Sequence, residues 1–198
     1  MKIVWFFSLF TLTSCATLFC SSGNLHVVEE DKGNGFALYR SGWPDEELIA
    51  EYCKLGISEI MVLSGNASMM EERLKSACPT LKVVYNQAQS TDTPLDRDFL
   101  EEFDRFILKS KQAGKRVAIR CDCGSHRTGR LAAYYQMKYQ GMSATEAKAV
   151  MTEKGKWMSL FSNIYEQVDA LSDYIHGKNC STKELNCVRT NTHSADGI

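Results

Sequence analysis

Apolar residues alternate along this chain between two rhythms. ISEIMVLSG (57–65), LKVVYN (81–86) and KRVAIRC (115–121) are short, β-branched and bounded by turn residues, as strands are. Between them the spacing is helical. PDEELIAEYCKLG (44–56) has Pro44 and three acids at its start and Gly56 as its stop, and DRDFLEEFDRFILKSKQAG (96–114) repeats Phe99, Phe103, Phe106 and Ile107 on one face. MMEERLKSACP (69–79) reads as a short helix. LAAYYQMKYQG (131–141), SATEAKAVMTEKG (143–155) with a Ser143/Glu146 capping box, and FSNIYEQVDALSDYIHG (161–177) complete the helical set. Near the start, NLHVVEEDKGNGFALYRSG (24–42) gives β-like stretches broken by Gly-Asn-Gly. The alternation predicts an α/β domain with a largely parallel central sheet flanked by helices. In such sheets ligands sit where strand ends meet helix starts.

Composition narrows the class. The 198 residues are 44% apolar and 24% charged, ordinary for one globular domain with its own core. The formal net charge of -1 offers no basic face for nucleic acid, so an anion site has to be local. Residues 1–22 open MKIVWFFSLF, one lysine followed by a short apolar run, and read as a secretion signal. Leu12-Thr13-Ser14-Cys15 resembles a bacterial lipobox, in which Cys15 would be lipidated and attach the protein to a membrane; ordinary cleavage near residues 21–23 is the other reading, and both stay open. Export is expected on either one: to the periplasm or the outer membrane as a lipoprotein in a bacterium, otherwise to the medium.

Eight cysteines fit an oxidising compartment. Cys180 and Cys187 flank the polar STKELN (181–186), and a disulfide closing that small loop in the tail after residue 177 is their most economical use. Cys53 and Cys78 can be read as a second bridge or as buried thiols.

The remaining chemistry is concentrated in RCDCGSHRTGR (120–130), at a predicted strand-to-helix junction. Unpaired N–H groups and the helix dipole there attract an anion, and the same setting lowers the pKa of a cysteine at the loop's start. An arginine at the loop's end can grip two phosphate oxygens. Five residues separate Cys121 from Arg127, with Thr128 and Gly129 following; the residue at that spacing from Cys123 is Gly129, so only Cys121 completes the arrangement. A zinc site is disfavoured because Cys-x-Cys lacks a second ligand pair at the usual spacing. A strained Cys121–Cys123 disulfide is the other alternative.

Cys-x5-Arg-Thr-Gly after a strand and before a helix resembles the signature of the cysteine-dependent phosphatases, the protein tyrosine and dual-specificity phosphatase superfamily. LYRSGWP (38–44) is similar to the entry segment of its compact members, and the likeness covers roughly residues 24–177. The resemblance implies a phosphotyrosine-phosphatase-like fold with Cys121 attacking phosphorus, Arg127 stabilising the transition state and Thr128 bonding the sulfur as it leaves. Asp122, Cys123, Gly124, Ser125 and His126 would line the phosphate. The family's usual histidine before the nucleophile is Arg120 here. Arg120, Arg130, Arg40 and, further out, Lys154 and Lys156 would surround the pocket with charge. No cofactor or metal is implied.

A general acid is also implied, on the loop preceding the nucleophile's strand. Trp43-Pro44-Asp45 spells the acid loop of the tyrosine phosphatases but lies 76 residues before Cys121, where a first helical turn explains it. Asp92, 29 residues before Cys121 and followed by Thr93-Pro94, is the expected acid; Asp96 and Asp98 open the next helix, where capping accounts for them. The substrate class expected is a small-molecule phosphate ester, with inositol polyphosphates such as inositol hexakisphosphate (phytate) favoured. An exported tyrosine or dual-specificity protein phosphatase is the alternative, and a catalytically weak phosphate-binding module a remote one.

Overall fold

In the computed structural model, residues 23–189 are described; the predicted secretion signal and Cys15 lie outside them. Five strands form one sheet: β1 (His26–Glu30), β2 (Ala37–Ser41), β3 (Ile57–Val62), β4 (Lys82–Asn86) and β5 (Arg116–Arg120). Their order is β1-β2-β5-β3-β4, with β1 antiparallel to β2 and every other pairing parallel. This is the mixed α/β architecture expected from the strand and helix alternation.

The helices are α1 (Glu46–Lys54), α2 (Arg97–Gln112), α3 (Arg127–Gln140), α4 (Ala144–Lys154) and α5 (Ser162–Ile175). Period-two alternation along the strands sorts the core into two layers. Leu38, Met61, Val117 and Ile119 pack with Phe99, Leu100, Phe103 and Ile107 of α2 and with the apolar faces of α3 to α5. Tyr39, Ile60, Val62 and Ala118 point the other way, onto Leu48, Ile49 and Tyr52 of α1. Caps fix the helix starts: Asp45 accepts from the Leu48 N–H, Asp96 from the Phe99 N–H, and Ser143 and Glu146 form a full capping box.

One element differs from expectation. Residues 69–79 do not form a helix but two 3-10 turns, Ala67–Met69 and Lys75–Ala77. Two tertiary bonds hold this segment. Glu71 is drawn inward to Arg120, and Cys78 is bonded to Cys53 of α1, with Cα atoms 5.4 Å apart. So Cys53 and Cys78 are a bridge, not buried thiols. Cys180 is bonded to Cys187, and the tail lies against α5 through Asn186 on Glu166 and Ser181 on Asp173.

Candidate active site

Ser41, Arg120 and Val62 are register partners at the carboxyl ends of β2, β5 and β3, so the loops that follow these strands open at one edge of the sheet. The loop from Cys121 to His126 joins β5 to the first turn of α3. Main-chain N–H groups of residues 124–128 donate to no carbonyl among the described residues, which leaves a row of donors where an anion can lie. Gly124 makes the turn possible. Its φ is +67°, and a Cβ there would lie 2.6 Å from the Ser41 carbonyl carbon and from the Gly42 nitrogen.

Cys121 is buried and is the free cysteine among the described residues. Cys123 is itself disulfide-bonded, so the alternative of a Cys121–Cys123 bridge is overturned. Arg127 Nη2 donates to Asp122 and Nη1 to the Leu63 carbonyl (3.3 Å), while its Nε is buried without a partner. Asp122 also accepts from Asn66 Nδ2 at 3.0 Å. Thr128 Oγ1 is buried and unpartnered. Ser125 Oγ donates to the Cys123 carbonyl and accepts from the Lys156 N–H at 2.9 Å, tying the α4–α5 connection to the loop. His126 stacks on Phe161 with ring centroids 3.8 Å apart, and burial holds its pKa below 6.5.

The three arginines expected to surround the pocket do something else. Arg120 is fully buried, donating to Glu71 (2.5 Å), Ser64 (2.8 Å) and Asn66 (2.7 Å) beneath the Trp43 ring. Arg130 is also fully buried, spent on the carbonyls of Ser90 and Thr93 and on Gln167. Arg40 is 2% exposed and donates to the Gly124 carbonyl at 2.6 Å, bracing the loop from β2. Burial lowers the pKa of Arg40 to about 10 and of Arg130 to about 9; charge on Cys121 opposes both shifts. They are framework cations, not pocket-lining ones. Of the two outer lysines, Lys154 pairs with Glu153 at 2.6 Å.

Asp92 is exposed on the turn between β4 and α2, where its N–H and that of Thr93 both donate to Ser90 Oγ. Asp96 is spent on capping α2, and Asp45 on capping α1. Sequence reasoning passed over Glu71, Asn66, Asn163 and Gln167. Gln167 had a signal: it is a polar residue on the face of α5 that also carries Ile164, Val168 and Leu171. Glu71 had none, since its partner is 49 residues away. No group of three or more His, Cys, Asp or Glu able to hold a metal occurs among the described residues.

A family model for the dual specificity phosphatase catalytic domain matches residues 39–173. No curated protein matches the sequence. Solved structures similar in fold include P. aeruginosa TpbA (TM-score 0.56, 19% identity, 76% of this chain and 96% of that one). The core catalytic domain of the PP-IP phosphatase SIW14 from S. cerevisiae is similar at TM-score 0.57 and 20% identity, covering 78% and 89%. PTPMT1 follows at 0.52 and 12%, covering 74% and 97%.

Proposed function

The chain belongs to the dual specificity phosphatase family and is a phosphatase, and from that premise we propose that it hydrolyses inositol polyphosphates, phytate among them, through a cysteinyl-phosphate on Cys121. The observation that carries the reading is the Cys121–Arg127 loop itself: a buried free thiol at one end, an arginine with an open Nε at the other, and main-chain N–H groups of residues 124–128 that donate to no carbonyl among the described residues. The Cys121 sulfur attacks phosphorus as the bond to the ester oxygen breaks. The loop amides and Arg127 hold the equatorial oxygens, Asp92 gives its proton to the leaving oxygen, and a water then displaces the sulfur with Asp92 as base. The loop and Arg127 supply the positive charge, so the reading needs no metal.

Export supports an extracellular phosphate ester over a signalling protein, and the Cys53–Cys78 and Cys180–Cys187 disulfides support export. Among proteins of similar fold, SIW14 is a PP-IP phosphatase and PTPMT1 was crystallised with PI(5)P. The second reading is an exported tyrosine or dual-specificity phosphatase. It is favoured by Trp157, 55% exposed on the connection tied to Ser125, whose ring offers an apolar surface to an aryl group; TpbA was crystallised with pTyr.

Purified protein assayed on inositol hexakisphosphate, a phosphotyrosine peptide and p-nitrophenyl phosphate separates the readings. Turnover of the first is expected, and Cys121→Ser should abolish it while inorganic phosphate still binds. Hydrolysis of the peptide but not of the inositol ester would overturn the substrate assignment. Undiminished turnover by Cys121→Ser would overturn the mechanism.

A further inference from the structure

Asp92 sits on a turn with no regular secondary structure, and aiming a carboxyl group from such a turn requires the backbone around it to be fixed. Three carbonyls of that turn are bonded from the helices beneath. Arg130 Nη2 donates to the Ser90 carbonyl and Nη1 to the Thr93 carbonyl, each at 2.8 Å. Asn163 Nδ2 donates to the Thr91 carbonyl at 2.7 Å, with Gln167 Nε2 at 3.4 Å from the same oxygen. Gln167 Oε1 in turn accepts from Arg130. One planar guanidinium therefore spans both ends of the turn, with Asp92 between its two anchor points.

The arrangement is costly. Arg130 is fully buried and close enough to Arg127 for the two charges to oppose each other, and an apolar side chain would fill the same space without desolvating a cation. Its place on α3 gives the cost a purpose. Arg127 and Arg130 stand three residues apart on one helix, so the residue that grips phosphate and the residue that grips the turn belong to one rigid element.

We infer that Arg130 is a positioning residue for the reaction: it locks residues 90–93 onto α3 so that Asp92 is held toward the phosphate loop, with Asn163 and Gln167 supporting the same turn. This rests on the proposed role of Asp92 as general acid. Its action is confined to proton transfer, so its loss is felt where the leaving group needs a proton and little where it does not.

The test compares Arg130→Met, Arg130→Lys, Asn163→Ala and Asp92→Asn, and the Arg130→Met/Asp92→Asn pair, on p-nitrophenyl phosphate and on an alkyl ester, β-glycerophosphate. General acid catalysis contributes about 100-fold or more, so Arg130→Met should lose on the order of 100-fold in kcat on the alkyl ester and only about 5-fold on the aryl ester. The basic limb of its pH profile on the alkyl ester should flatten. Arg130→Lys should recover little, since a point charge cannot span two carbonyls. On the Asp92→Asn background Arg130→Met should add nothing. Asn163→Ala, which releases only the Thr91 carbonyl, should show the same leaving-group signature at smaller amplitude and carries the test if Arg130→Met does not fold. Asp92→Asn with unchanged alkyl turnover would remove the acid assignment, and the inference with it. If Asp92→Asn behaves as expected, equal losses on both esters in the Arg130 or Asn163 variants, or a further loss in the pair, would overturn the positioning role alone.

Discussion

Arg127 donates from Nη2 to the carboxylate of Asp122, which lies on the same loop and is 42% exposed on its side chain. The pair orients the guanidinium and leaves its buried Nε without a protein partner, but it also places a negative charge beside the site of a phosphate dianion. Asp122→Asn keeps an oxygen acceptor for Arg127 and removes that charge. Relief of repulsion at near-aqueous dielectric is on the order of 1 kcal/mol, so inorganic phosphate should inhibit about 5-fold more tightly. Weaker inhibition would mean that the charge on Asp122 holds Arg127 more than it repels the ligand.

Glu71 and Arg120 form an ion pair whose side chains are 1% and 0% exposed. Removing one partner of a sealed pair strands the other charge, and Glu71→Leu should destabilise the fold by about 3 to 5 kcal/mol. In Glu71→Leu/Arg120→Met neither charge remains, and most of that loss should be recovered. Urea denaturation of the single and double variants measures both. A double variant no more stable than Glu71→Leu would show that the bonds of Arg120 to Ser64 and Asn66, not charge balance, hold the segment.

What the sequence revealed and what it hid divide by range of interaction. The strand-loop-helix around Cys121, the Phe99–Phe103–Ile107 face of α2 and the Ser143/Glu146 box are written within a few residues of one another, and the structure has them all. The segment around Glu71 has helical composition, but a buried ion pair and a disulfide fix it in another shape, and both partners lie far along the chain. The sequence places Arg40, Arg120 and Arg130 around the pocket as charge for the ligand, because charged residues are seldom buried, whereas all three are buried in the framework. Arg120 ends the central strand β5, which helices cover on both faces, and Arg130 is on a helix with a long buried run; neither fact is visible until the sheet order is known.

The Cys53–Cys78 bond spans 25 residues, and in the chain-entropy account a loop of that length is worth about 3 kcal/mol. Cys53→Ser/Cys78→Ser should lose about that much in urea denaturation while turnover at saturating substrate stays within about two-fold, because the bond joins α1 to the turn before β4 and not to the phosphate loop. A large loss of turnover at full folding would tie this face of the sheet to catalysis.

Gly124 has no room for a side chain in the loop. Alanine there meets main-chain atoms at 2.6 Å and has to hold a φ of +67°, and neither strain can be relieved by rotating a side chain. The expected result is a displaced loop: inorganic phosphate affinity reduced by more than about 10-fold, with stability lowered by about 1 to 3 kcal/mol. Near-wild-type phosphate inhibition in Gly124→Ala would show that the amide row tolerates another backbone path.

His126 links the site to pH. Burial lowers its pKa below 6.5; main-chain bonds to Lys156 and Trp157 oppose the shift, and the charge of Arg127 adds to it. His26 is lowered too, by burial and by Arg40 and Lys154, against Glu153. A histidine with a depressed folded-state pKa binds its proton more readily in the unfolded chain, so its stabilisation is complete above pH 6.5 and is lost as pH falls through the folded value. Stability should therefore decline below pH 6.5, at no more than about 1.4 kcal/mol per pH unit for each histidine. Carboxylates with lowered values, such as Glu29, Glu146 and Asp173, act in the same direction only below their ordinary range. His126→Phe keeps a ring against Phe161 and removes one titrating group, so the slope between pH 6.5 and 5 should fall and the remainder should belong to His26. Urea denaturation at intervals across that range reads the slope directly. An unchanged slope in His126→Phe would assign the whole effect to His26 and leave the phosphate loop insensitive to mild acid.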